Sequence, residues 1–96
     1  MVNTDLERFK DSIKKGIAEY NKYRSPEAKA ELLKIGKDTI IVKFTGSYCR
    51  TCGVYDYFED LIYDLMDHAN LKFKILKVEE KPDLIHIVTF KLNNKI

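Results

Sequence analysis

No run of about 18 apolar residues occurs anywhere in the chain, which argues against a membrane-spanning helix. The segment Met1-Val2-Asn3-Thr4-Asp5-Leu6-Glu7 places acids early and holds no apolar stretch, which excludes a secretory signal and points to a cytoplasmic protein. Tryptophan and glutamine are absent, whereas lysine and glutamate are plentiful. That balance matches a thermophile, in which heat-labile amides are avoided and ion pairs are favoured. It bears on the two cysteines, because intracellular disulfides are common in hyperthermophiles and rare elsewhere. Proline and glycine are also sparse, at two and four residues, and no linker, repeat or low-complexity tract appears. A length of 96 residues therefore fits a single domain over 1–96, with residues 1–36 forming a helical part packed on a core at 39–92.

Excess charge is lacking too. The formal net charge is +2, yet residues 53–70 hold five acids (Asp56, Glu59, Asp60, Asp64 and Asp67) and no lysine or arginine, with net basic segments on either side. Charge that alternates by element argues against a nucleic-acid binder, which presents one dominant basic face. Lys10, Lys14 and Lys15 share their helix with acids. Asp56, Asp60 and Asp64 share a helical stripe, which reads as a solvent-facing, metal-free surface.

Hydrophobic periodicity divides the chain into six elements. Thr4 and Glu7 have capping-box spacing, and Leu6, Phe9, Ile13, Ile17 and Tyr20 recur with helical period. Ser25-Pro26-Glu27 reads as a second helix start, with Ala28, Leu32 and Ile35 on one face and Gly36 as its stop. Residues 39–44 form a β-branched and aromatic strand. A third helix at 54–69 carries Val54, Phe58, Leu61, Ile62 and Leu65 on its core side. Leu71-Lys72-Phe73-Lys74-Ile75 alternates strictly, then slips at Ile75-Leu76, which predicts a bulge. Residues 84–92 form the last strand. The expected fold class is thus α/β (α+β): two N-terminal helices, then strand–helix–strand–strand, with a small mixed three-stranded sheet. The strand–helix–strand unit is expected to be parallel and right-handed, and the last two strands antiparallel.

Cys49-Arg50-Thr51-Cys52 lies at the crossing from the first strand to the third helix. Unpaired N–H groups and the helix dipole favour an anion there, so Cys49 is expected to be acidified and reactive. Cys52, three residues on, is close enough to close a short disulfide.

The segment Ile41-Val42-Lys43-Phe44-Thr45-Gly46-Ser47-Tyr48-Cys49-Arg50-Thr51-Cys52 resembles the active-site region of thioredoxin-like proteins: apolar strand, Phe, an aromatic, then the paired cysteines. Leu71 to Val78 resembles that family's next parallel strand. The resemblance implies a sandwich of helices around a small mixed sheet, with Cys49 as attacking thiolate and Cys52 as resolving thiol. Tyr48 is the aromatic of the motif, and Arg50 would steady the thiolate. The chain departs from the family at three points. Lys43 stands where the family has a buried acid, Pro82 is the sole candidate for its cis-proline, and Arg-Thr replaces Gly-Pro between the cysteines.

The expected function is thiol–disulfide exchange, with a protein disulfide substrate or a recycling reductase as partner, and with no cofactor. The alternative is a non-enzymatic interaction module, stapled by a structural Cys49–Cys52 disulfide, whose acidic helix docks a basic partner. Half a zinc site is a further reading of the cysteine pair, with His68 and His86, or two cysteines of a second subunit, as remaining ligands. The oligomeric state is left open.

Overall fold

The computed structural model describes residues 6–24, 28–46, 54–82 and 85–95. A 3-10 turn over Leu6–Phe9 leads into α1 (Lys10–Arg24), followed by β1 (Lys29–Ile35), β2 (Thr39–Thr45), α2 (Val54–Ala69), β3 (Leu71–Lys81) and β4 (Ile85–Lys95). The strands form one four-stranded sheet in the order β1-β2-β4-β3, and every neighbouring pair is antiparallel.

The α+β class and the two last strands stand as read from the sequence. The second helix does not. Residues 29–35 form strand β1, so the sheet has four strands rather than three. Lys, Ala, Glu and Leu favour a helix locally, but two side-chain hydrogen bonds hold this segment extended. Asn21 of α1 accepts from the Ala30 N–H at 2.7 Å and donates to the Ala30 carbonyl at 2.9 Å, acting as an outer partner for the strand. Tertiary contact overrides propensity here.

The thioredoxin-like arrangement is also corrected. β3 is not the hydrogen-bonded parallel neighbour of β2, because β4 lies between them and runs antiparallel to both. No parallel pair exists among the described strands, so the mixed sheet is absent. The core joins α1 and α2 to a single sheet face, and α1 packs directly on α2. The resemblance around Cys49 and Cys52 is therefore one of local pattern. Thiol–disulfide exchange, expected from that fold, loses its support with it.

The inner rows run across the strands, and the inward parity switches at the bulges in β1 and β3. Ala30, Phe44 and His86 form one row, and Leu32, Val42, Val88 and Val78 the next, with Ile35, Ile40, Phe90 and Ile75 beyond. Above them lie Ile13, Ile17 and Tyr20 of α1 and Phe58, Leu61 and Leu65 of α2, all buried. Phe44 sits at the centre, with ring centroids 4.7 Å from Phe58, 5.8 Å from Tyr20 and 6.2 Å from Phe90. Aromatic pairs at such spacings contribute about 0.5–1.5 kcal/mol each beyond burial. The slip expected at Ile75-Leu76 is a bulge: Ile75 pairs with Phe90 and Lys77 with Thr89, leaving Leu76 unpaired and 55% exposed. α2 ends at Ala69, and the next residue, Asn70, forms a left-handed cap with its positive φ of 55° and its N–H bond to the Met66 carbonyl.

Candidate docking face

The sheet has a second face that no described element covers. Alternation along β2 and β4 sends Ile40, Val42, Phe44, Val88 and Phe90 into the core and leaves Ile41, Ile85 and Ile87 on the opposite side. These three isoleucines are half-buried by their sheet neighbours and do not join the core cluster. Antiparallel pairing arranges them in rows. Glu31, Lys43, Ile87 and Glu79 form one row across the four strands, and Lys34, Ile41, Thr89 and Lys77 the next. A further row carries Thr39, Lys91 and Lys74. The result is an apolar strip with a lysine rim.

Few acids offset that rim. Glu31 meets Lys43 at 3.8 Å, and Glu79 meets Lys77 at 3.0 Å and Lys81 at 3.9 Å. The hydrogen bond and charge of Lys77 hold the Glu79 carboxyl below its ordinary range, with Lys81 adding to the effect. Lys91 lies 4.0 Å from Asp38. Lys34, Lys72 and Lys74 are exposed and have no carboxylate within ion-pair distance among the described residues. The face is therefore net positive.

The outer strands are blunted. β3 carries Lys72, Lys74, Lys77 and Lys81 and the bulge at Leu76; β1 has a register shift between Leu32 and Lys34 and its Ala30 backbone is tied to Asn21. Lysines and bulges discourage strand addition at an edge. The flat side of the sheet is the open surface instead.

The acids of α2 lie on the helix side of the sheet, and Glu59 borders Lys72, Lys74 and Lys77 at the β3 edge. Asp56, Glu59 and Asp67 of α2 are exposed, but the expected solvent-facing stripe of Asp56, Asp60 and Asp64 is only partly so. Arg24 of α1 reaches Asp60 at 3.1 Å and Asp64 at 3.8 Å while stacking 4.9 Å above the Tyr20 ring. Asp64 thus faces α1, and burial raises its carboxyl pKa against the opposing pull of Arg24. Asp64 Oδ2 is buried without a hydrogen bond. The hydroxyl of Tyr20 donates to the Tyr57 carbonyl at 2.7 Å, a second tie between the helices.

Of the residues singled out in the sequence, Tyr48, Cys49, Arg50 and Cys52 lie outside the described residues. Lys43 points to the open face, away from α2, and pairs with Glu31. Pro82 is exposed in the turn between β3 and β4. His86 is buried on the inner face with its ring 5.5 Å from Phe58, whereas His68 is exposed near the end of α2. Among the described residues, no three His, Cys, Asp or Glu side chains converge in a way that could hold a metal. Nor is any helix among them long and apolar enough to cross a membrane. The open face carries a signal in the sequence, the period-2 placement of Ile41, Lys43, Ile85, Ile87, Lys72 and Lys74 opposite the core residues.

No family model matches the sequence, and no curated protein matches it. Among solved structures, the chain is similar to one described as "Probing the function of heme distortion in the H-NOX family", at 19% identity and a TM-score of 0.47. The likeness covers 95% of this chain and 49% of the other, so the chain spans about half the length of that neighbour. The neighbour is thus an H-NOX structure and not a thioredoxin.

Proposed function

We propose that this chain is a docking module whose uncovered sheet face receives an acidic amphipathic helix. The observation that carries this reading is the combination of Ile41, Ile85 and Ile87 outside the core with a lysine rim in which Lys34, Lys72 and Lys74 have no acid partner among the described residues. A helix laid across strands places an apolar ridge on the isoleucines and carboxylates over Lys34, Lys74 and Lys77. Helices cover sheets in this way throughout two-layer folds. Lysine stems add apolar contact while their ammonium groups stay wet. The face carries no aromatic residue among those described, so it lacks the stacking platform that single-stranded nucleic acid requires.

The test uses a synthetic helical peptide with a leucine stripe and glutamates on both flanks, titrated into the isotopically labelled protein. Amide shifts should cluster on residues 39–45 and 85–91, and affinity should fall by about tenfold or more as salt screens the charges. Ile87→Glu should abolish binding without lowering the melting temperature. Shifts confined to α1 or α2, or equal binding by an Ile87→Glu protein, would remove the proposal.

A further inference from the structure

We infer that the helix which fits this face is α2 of a second copy of the chain, an inference that rests on the docking reading above. α2 is itself an acidic amphipathic helix with an unfinished outer side. Tyr63 is 64% exposed, Met66 is half-buried, and Asp56, Glu59 and Asp67 stand around them in solvent. A hollow of about 190 Å³ lies among Glu59, Ile62, Tyr63, Met66 and Lys72, so this outer side has relief as well as charge. The two surfaces are complementary in sign and in pattern: acids around Tyr63 and Met66 on one, lysines around Ile41 and Ile87 on the other. A helix of 16 residues is about 24 Å long, enough to lie across four strands spaced about 4.8 Å apart.

The two surfaces face opposite ways and adjoin along β3, where Glu59 and Ile62 share hollows with Lys72, Lys74 and Lys77. α2 packs on the inner side of the sheet through Phe58, Leu61 and Leu65, and the lysine rim is on the outer side. Contact between copies is therefore head-to-tail: the helix of one chain lies on the sheet of the next. Such a heterologous contact leaves one free surface at each end and does not stop at a dimer unless a ring closes. Because charge draws the surfaces together, association is strongest at low salt.

The experiment is sedimentation of the whole chain over a range of concentration and salt, with two variants. Ile87→Glu spoils the sheet face and leaves the helix intact; Tyr63→Lys spoils the helix side and leaves the face intact. The wild-type protein should associate beyond the dimer at low salt and revert to monomer when salt is raised. Each variant alone should be monomeric. An equimolar mixture should give a 1:1 heterodimer, since one good face and one good helix remain. Circular dichroism should show both variants folded with the wild-type melting temperature. A monomeric wild-type protein at every salt, a limiting dimer that either variant retains, or folded variants that do not pair would overturn the inference. If the wild-type protein is monomeric and yet binds the acidic peptide on residues 39–45 and 85–91, only the second copy is wrong and the docking reading stands. If it neither associates nor binds the peptide, both fail.

Discussion

Asn21 of α1 and Ala30 of β1 are joined through both polar groups of the Ala30 backbone, at 2.7 and 2.9 Å. One side-chain amide therefore does what a further strand would do at this edge, and it fixes a helix-prone segment as β-structure. Asn21→Ala would leave both groups of Ala30 without their protein partner. The loss of a partly buried pair of this kind is expected to cost about 1–3 kcal/mol. Denaturant unfolding should read that cost, and amide exchange at residues 29–35 should accelerate more than at β4. Asn21→Asp keeps the acceptor and loses the donor, and should fall between the two.

Gly16 of α1 packs tightly against α2. A Cβ placed there would lie 2.9 Å from Leu65 Cδ2 and 3.4 Å from the Asp64 carbonyl oxygen. Gly16→Ala gains about 1 kcal/mol of helix propensity, and the Leu65 methyl must shift to admit it. Those effects nearly cancel, so the alanine variant should unfold within about 1 kcal/mol of the wild type. Gly16→Leu has no such offset. It should separate α1 from α2 and destabilise the chain by about 2 kcal/mol or more, measured by the denaturant midpoint.

Asp64 supplies a pH test. Its folded-state pKa is raised, first by burial, so the folded chain holds this proton to a higher pH than the unfolded chain does. Stability from this group is therefore greatest below the unfolded carboxyl pKa and declines as pH rises through the folded value. Asp64→Asn removes the titration. The variant should match the wild type near pH 4 and be equal to it or more stable by about 1 kcal/mol at neutral pH, where Arg24 still holds Asp60 at 3.1 Å. Thermal melts across this pH range check the sign: a variant less stable at neutral pH than at pH 4, relative to wild type, would mean that the Arg24–Asp64 attraction outweighs desolvation.

Asn70 gives a smaller effect. Its φ of 55° is tolerated by asparagine and glycine and strained in a β-branched residue. Asn70→Gly should leave the melting temperature within a few degrees, whereas Asn70→Val should lower it by about 1–2 kcal/mol equivalent, read from the same melts.

Much of the scaffold was legible from periodicity alone. α2 follows from Phe58, Leu61, Leu65 and Ala69, which are buried, and Tyr20 of the α1 stripe is buried as its period implies. The alternation of β3 and its slip at Leu76 also appear in the fold as read. Period, burial and turn position are local properties, so they show in the order of residues. The sequence by itself thus determined α1, β2, α2, β3 and β4, the apolar stripes of the two helices, and the placement of acids on α2 and lysines on the strands.

What only the tertiary structure decided is how those parts meet. Residues 29–35 carry helix-forming side chains, and their extended state depends on Asn21, nine positions away, and on pairing with β2. The position of β4 between β2 and β3 removed the parallel neighbour that the cysteine motif had implied, because a dozen matching residues constrain a turn and not a sheet order. Arg24 drew Asp60 and Asp64 toward α1 although their spacing alone put them in solvent. The lysines scattered over four strands became one basic face only when pairing set them in register. Local free energy chooses the elements; which of their faces is left uncovered depends on contacts between residues far apart in the chain.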